Sequence, residues 1–213
     1  MIIQGSEEWF TQRLGKVTAS RLADVLAKTK TGPSASRANY MAELIAERLS
    51  GVRSEKFVSA EMKWGTECEP LARAAYEAET GAFVCEVGMI THPAIPMAGA
   101  SPDGLISDDG VLEIKCPETK THFETILCGE VPTKYIPQIQ WQLACTERAW
   151  CDYVSFDPRS PADLQLFVKR VPRDGELIKK YEAEVLSFLE ELESRVSQLN
   201  AWRLSKTAER KCA

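Results

Sequence analysis

The chain has 213 residues, of which 44% are hydrophobic and 27% charged, and its net charge is −5. This composition, without a secretory signal or an apolar run long enough to cross a membrane, predicts a soluble cytoplasmic protein with a substantial core. Seven scattered cysteines without a Cys-x-x-Cys pair argue against a disulfide framework or a zinc or iron–sulfur site, and only two histidines argue against imidazole-based catalysis.

The first part of the chain predicts helices separated by one basic loop. In chain order these are a helix at 6–14 capped by Ser6 and ended by Gly15, a short helix capped by Thr18 or Ser20, a loop at 28–36, a helix at 36–49 ended by Gly51, and a helix at 60–79 that Pro70 kinks or breaks.

The second part alternates strands with helices. Strand patterns fill 83–116, including 83–90, helices follow at 120–128 and 134–147, two β-rich segments at 150–156 and 164–171 can pair, and a long amphipathic helix covers about 174–202. This order predicts an α/β fold with one central mixed sheet flanked by helices, and a single domain over 1–213.

The most informative stretch is Pro102-Asp103 followed, after nine residues, by Glu113-Ile114-Lys115. Side chains alternate along a strand, so Glu113 and Lys115 point the same way, and a return through Asp109-Gly110 brings Asp103 close to them. Two carboxylates beside a lysine provide a hard-cation site with an adjacent positive charge, as metal-assisted phosphodiester hydrolysis requires.

Glu-x-Lys alone is weak, because a surface strand with an ion pair gives the same tripeptide. The apolar run around it changes this interpretation, since charged residues in buried strands are seldom tolerated without a metal or a partner. The arrangement resembles the PD-(D/E)xK (restriction-endonuclease-like) nuclease superfamily.

Further segments resemble one family within that superfamily. They are Trp9-x3-Arg13-Leu14-Gly15-x2-Thr18-Ala19-Ser20, Trp64-Gly65-x3-Glu69, Ser101-Pro102-Asp103-Gly104-Leu105, Glu113-Ile114-Lys115-Cys116-Pro117 and Gln138-Ile139-Gln140. In order and spacing, over about 5–157, they are similar to the phage lambda exonuclease family, also called YqaJ-like viral recombinase nucleases.

The resemblance implies a 5′-to-3′ exonuclease that uses Mg²⁺, with two ions and Mn²⁺ as a substitute, and degrades one strand of linear duplex DNA. It also implies a 5′-phosphate on the substrate, a homotrimeric ring and a single-strand annealing protein as partner in recombination. Neither the ring nor the partner follows from the residues themselves.

The same resemblance assigns roles to ten positions. The metal would be bound by Asp103, Glu113, Glu69 and the backbone carbonyl of Ile114. Lys115 would be the catalytic lysine, and Gln138 would position the nucleophile or the lysine. The 5′-phosphate would be held by Arg13, Ser20 and Ser101, and Met62 would be an apolar wedge that separates the terminal base pair.

Elementary chemistry agrees with several of these roles. Arginine is a good phosphate fork, Mg²⁺ prefers oxygen ligands, and a lysine beside metal ions should lose its proton more easily than usual. Gln138 and Gln140 are two apart on a helix, so only one can face the site, and we expect Gln138.

Each role also has a structural alternative. Glu69 could be a surface helix residue, and Arg13 could be one partner of an exposed ion pair. Ser20 could be only a helix cap, and Met62 could belong to the core. At the level of function the alternatives are a structure-specific endonuclease of the same superfamily and a recombination scaffold that binds DNA ends without cutting.

Overall fold

The computed structural model describes residues 2–30, 32–54 and 59–212, and only the backbone of 208–212. Seven α-helices lie within these ranges. They are Glu7–Arg13 (α1), Leu22–Leu26 (α2), Ala35–Ser50 (α3), Ala60–Thr80 (α4), Thr119–Cys128 (α5), Ile136–Thr146 (α6) and Gly175–Cys212 (α7).

The same ranges hold ten strands in three sheets. The strands are Val17–Thr18 (β1), Lys28–Thr29 (β2), Gly32–Pro33 (β3), Val84–Cys85 (β4), Ile90–Thr91 (β5), Ala98–Ala100 (β6), Gly104–Ile106 (β7), Gly110–Lys115 (β8), Trp150–Phe156 (β9) and Leu166–Pro172 (β10). The largest sheet has the order β10-β9-β8-β7-β4, a smaller one has the order β1-β6-β5, and β2 pairs with β3.

The five-stranded sheet is mixed, as the sequence predicts. Strand β8 runs parallel to β9 and antiparallel to β7, and β9 and β10 form the expected antiparallel pair. A parallel pair needs a crossover connection, and α5 and α6 supply it between β8 and β9.

Strand β8 lies at the centre of this sheet and is buried along almost its whole length. Its Leu112 and Ile114 belong to a core cluster that includes Ala72 and Tyr76 of α4. The opposite cluster includes Val111 and residues of α6 and α7. Helices therefore cover both faces, and charged side chains on β8 need partners within the protein.

Pro70 lies inside helix α4, where the sequence predicts a kink or a break. Proline removes one backbone hydrogen bond and costs about 3 kcal/mol in a helix interior, yet α4 runs unbroken over Ala60–Thr80. Cys68, Ala72 and Tyr76 are buried along the same helix, and this packing offsets the cost. The predicted break is therefore wrong.

Two other boundaries differ from the prediction. Within 83–90 only Val84–Cys85 and the first residue of β5 are strand, because the β5 end of this segment pairs with β6 in a different sheet from β4. Helix α7 continues to Cys212 rather than ending near 202. None of the helices in the described residues is both long and apolar enough to span a membrane.

Candidate active site

One open cleft of about 460 Å³ brings together residues that lie far apart in the sequence. All ten positions predicted to form the site line it: Arg13, Ser20, Met62, Glu69, Ser101, Asp103, Glu113, Ile114, Lys115 and Gln138. The cleft lies between α1, α4, the β7–β8 hairpin and the start of α6.

The β7–β8 hairpin fixes the two central carboxylates. The backbone N–H of Asp103 donates to the carbonyl of Leu112 at 3.1 Å, and the Oδ2 atom of Asp103 accepts from the N–H of Ile114 at 2.6 Å. Burial, and then repulsion from Glu113, raise the pKa of Asp103 well above its ordinary value. The hairpin therefore forces two acids together, as predicted.

Glu113 is 1% exposed and is surrounded by donors. The side-chain amide of Gln138 donates to Oε1 and that of Gln142 to Oε2, each at 2.5 Å, and the Lys115 ammonium contacts Oε1. Lys115 and Glu113 thus share a face of β8, as strand alternation predicts. A buried carboxylate with three donors has a fixed position.

Gln142 is the residue that the sequence reasoning missed. It is four residues after Gln138, and residues at that spacing lie on one helix face, so the signal was present in the sequence. Gln140 points elsewhere, donating to the carbonyl of Pro172 and accepting from the N–H of Asp174. The choice of Gln138 over Gln140 as the glutamine facing the cleft agrees with these contacts.

The surroundings of Lys115 favour its protonated form. Burial by itself would lower its pKa, but the carboxylates of Glu113 and Asp103 raise the pKa above the ordinary lysine value. Its ammonium also lies 5.3 Å from the ring centroid of Tyr135. The protein groups alone therefore raise the pKa of Lys115. The lower pKa expected beside metal ions would have to come from the ions themselves.

Glu69 enters the cleft from α4. Its Oε1 accepts from Arg73 one turn later at 2.9 Å, and burial raises its pKa despite this arginine. In the described residues, no three His, Cys, Asp or Glu side chains are spaced to hold a metal ion. The available donors in the cleft are nevertheless carboxylate and carbonyl oxygens, which are the ligands that hard divalent cations take.

Arg13, which lines the same cleft, is held in a defined orientation. Its guanidinium donates to Ser101 Oγ at 3.0 Å and lies 4.2 Å above the ring of Trp9. The indole N–H of Trp9 donates to the same hydroxyl at 2.9 Å. Burial lowers the pKa of Arg13, although arginine stays protonated in proteins. An oriented, partly desolvated guanidinium is well suited to bind a phosphate.

Ser20 is not the helix cap that the sequence allows, and Met62 lines the cleft without belonging to the core. Ser20 lies inside a short 3-10 turn, whose N-cap residue is Thr18 without a side-chain cap, so neither of the two caps the next helix. Ser20 therefore offers its exposed hydroxyl to the cleft rather than a capping bond. Met62 is 54% exposed on α4, so it is not a core residue.

Comparison with known proteins gives one family and several solved structures. The model of the YqaJ-like viral recombinase domain matches residues 8–149. An alkaline exonuclease from Laribacter hongkongensis is 54% identical with a TM-score of 0.88, and the match covers 94% of this chain and 99% of that one. Its structure with dAMP matches equally well.

A more distant structure shares the fold alone. A phage-related exonuclease from Haemophilus somnus is 16% identical with a TM-score of 0.66, and the match covers 86% of this chain and 96% of that one. No curated protein matched the chain. The family match covers most of the cleft-lining positions, and the chain belongs to the YqaJ-like viral recombinase family, as the motifs around Asp103 and Lys115 predict.

Proposed function

We propose that this chain is a Mg²⁺-dependent exonuclease that degrades one strand of linear duplex DNA processively from its 5′ end to mononucleotides. The 3′ single strands left behind would serve recombination with a single-strand annealing protein. Family membership and the similarity to an alkaline exonuclease support a nuclease acting on DNA. The metal, the polarity and the processivity are the proposed part.

The observation that carries the proposal is one cleft that holds two chemically distinct groups of side chains. The carboxylates of Asp103 and Glu113 lie in it with Lys115, and the oriented guanidinium of Arg13 lines the same cleft. A 5′-phosphate bound by Arg13 would direct the first phosphodiester of that strand toward the carboxylates. A cleft that reads a strand end in this way favours an exonuclease over an endonuclease.

The donor set fits a hard divalent cation. Asp103, Glu113, Glu69 and the carbonyl of Ile114 would hold it, with two ions expected and Mn²⁺ as a possible substitute. When bound, such ions supply positive charge that polarises the phosphodiester and makes water a better nucleophile. Burial and mutual repulsion raise the pKa values of Asp103 and Glu69, so a cation here would relieve an unfavourable concentration of negative charge.

The protein's own groups then orient the reaction. The Nζ ammonium of Lys115 would donate hydrogen bonds to the attacking water or to the phosphoryl oxygens on which negative charge develops. Gln138 and Gln142 hold the Glu113 carboxylate in place. Ser101 and Ser20 would add hydroxyl donors to the phosphate bound by Arg13, and the exposed Met62 would contact the terminal base pair as a wedge.

The products proposed are mononucleotides that carry a phosphate. The Laribacter hongkongensis enzyme is described in complex with dAMP, which is a compound of this class. Because the two chains are 54% identical over nearly their whole length, we expect this chain to release the same class of product. We further propose a homotrimeric ring that acts in the cytoplasm.

Linear duplex DNA labelled separately at each 5′ and 3′ end, with closed circular DNA alongside, tests the proposal. With Mg²⁺ we expect mononucleotides from 5′ ends only, 3′ single strands and intact circles. Cut circles would instead identify an endonuclease, and no cleavage with either Mg²⁺ or Mn²⁺ would identify a non-cutting binder.

Lys115→Ala is the matched variant in this experiment. It removes a group that acts in the transition state, so we expect cleavage to fall by roughly 10²- to 10⁴-fold while DNA binding persists. Near-normal turnover would contradict the role of Lys115 without affecting the assignment of the protein as a nuclease.

A further inference from the structure

Helix α4 presents one narrow face to the cleft. Glu61, Met62, Gly65 and Glu69 all line it, and their spacing of three and four residues is that of a single helix face. Gly65 therefore lies between the exposed Met62 and the proposed metal ligand Glu69. It is an interior position of a helix that spans Ala60–Thr80.

Glycine is a costly choice at such a position. It loses more conformational freedom on folding than any other residue, and alanine is the better helix former. The backbone at Gly65 is helical, so it would accept an ordinary side chain. Some requirement must offset the cost.

The residues that the structure describes supply no such requirement. Of the twelve glycines, six have a left-handed φ, and at four others a Cβ would come within 3.0 Å of protein atoms. Gly65 has neither feature, and a Cβ there would meet no described atom within 4 Å apart from its chain neighbours and the backbone of its own helix. Gly175 is the one other glycine of this kind, and it is the first residue of α7, outside the cleft.

We propose that Gly65 is a substrate-positioning residue, whose bare backbone lets the DNA strand being cut pack directly against α4. This inference rests on the proposed function. Glycine allows a ligand to approach the main chain closely, and here the ligand would be the sugar–phosphate of the terminal nucleotide. A side chain at residue 65 would push that nucleotide away from Asp103, Glu113 and Lys115.

The chemistry of the surroundings favours a nucleic-acid strand as this ligand. Arg13 and Ser101 offer donors to a phosphate, and the carboxylates that line the same cleft suit a phosphodiester with its cations. Small displacements of a reacting group lower rates strongly, by as much as about 10²-fold for 1 Å. Even one methyl group at residue 65 should therefore be detectable.

Two substitutions test the inference because both favour the helix. Gly65→Ala and Gly65→Leu place side chains of increasing size in open space, so we expect midpoints of urea unfolding at or above that of the wild type. On linear 5′-phosphorylated duplex DNA with Mg²⁺, we expect kcat/KM to fall roughly tenfold or more for Ala and further for Leu, with an increase in KM.

Gly175→Ala is the matched control, since it makes the same chemical change at the other unconstrained glycine. We expect its kcat/KM to equal that of the wild type. Wild-type kinetics in both residue-65 variants would overturn the inference. A loss of stability in parallel with activity would also overturn it, because the glycine would then serve the fold. A wild-type chain that cuts no DNA would instead overturn the proposed function itself.

Discussion

At the scale of single residues, the position of Glu113 determines what the cleft can do. A carboxylate in a buried strand is tolerated only when its oxygens are satisfied, and here Lys115, Gln138 and Gln142 satisfy them. These donors hold the carboxylate in one orientation before any ligand arrives. Such preorganisation lowers the cost of reaching the reactive geometry.

Replacing Gln142 with leucine tests this role. Gln142→Leu keeps the volume but leaves Glu113 Oε2 without its amide donor, so we expect a loss of stability of about 1–3 kcal/mol. We also expect kcat to fall roughly tenfold while KM changes little, because Gln142 is fully buried and is not one of the residues that line the cleft. Urea unfolding and steady-state cleavage rates measure the two effects.

Gln140→Leu is the control for this variant. It removes hydrogen bonds to Pro172 and Asp174, which costs stability but does not involve Glu113. An equal loss of kcat in both variants would mean that the effect is general loosening of α6 rather than the position of the carboxylate.

The proposed role of Arg13 in binding the 5′-phosphate gives a second prediction. Arg13→Ala should erase the preference for 5′-phosphorylated over 5′-hydroxyl ends, because it removes the fork that would bind the phosphate. Trp9→Phe keeps a ring under the guanidinium but removes the indole N–H that donates to Ser101. We expect it to reduce the preference partly.

The ratio of initial rates on the two kinds of DNA end measures this preference. Thr11→Ala changes an exposed residue of the same helix whose hydroxyl donates to the backbone carbonyl of Glu7, and it should leave the ratio unchanged. An unaltered ratio in Arg13→Ala would refute the phosphate pocket.

At the scale of elements, the β7–β8 hairpin carries both central carboxylates, and Arg148 fastens its turn. One guanidinium nitrogen donates to the carbonyls of Ile106, Ser107 and Gly110 at 2.8–3.1 Å. Ser107 has a φ of +48°, which is a strained conformation for a residue other than glycine. The hydrogen bonds from Arg148 therefore stabilise a turn whose backbone conformation is unfavourable by itself.

Removing the hydrogen bonds from Arg148 should lower both the stability and the activity of the protein. We expect Arg148→Ala to lower the free energy of unfolding by about 1–3 kcal/mol, and to lower cleavage because Asp103 and Glu113 lose their fixed separation. Arg148→Lys, which cannot reach all three carbonyls, should give an intermediate result. Full activity in a destabilised Arg148→Ala variant would show that the turn does not position the carboxylates.

Local patterns in the sequence are sufficient to predict most helices and strands, and the grouping of Asp103 and Glu113 with Lys115 in one cleft. Ser6 and Gly51 mark helix ends where the structure has them, and strand alternation places Glu113 with Lys115. The error at Pro70 arises because tertiary packing overrides local propensity. The separation of β4 from β5 depends on pairing with distant strands, which a local pattern does not contain.

At the scale of the whole molecule, the charge of the chain poses a problem for processive cutting. A net charge of −5 gives little long-range attraction for DNA, whose affinity for proteins comes largely from phosphate contacts. Among the described residues that line the cleft, the cationic side chains are Arg13 and Lys115. An isolated chain should therefore lose its DNA between successive cuts.

A closed ring would solve this problem, because threaded DNA cannot diffuse away. We therefore expect a homotrimer in sedimentation equilibrium at the concentrations used for cleavage. We also expect long single-strand tracts to be degraded in one encounter when excess unlabelled DNA is added as a trap. A monomer that remained processive under the trap would contradict the ring and require another means of holding DNA. A monomer that released its DNA after each cut would contradict the ring and the proposed processivity together, and would limit the enzyme to short resections.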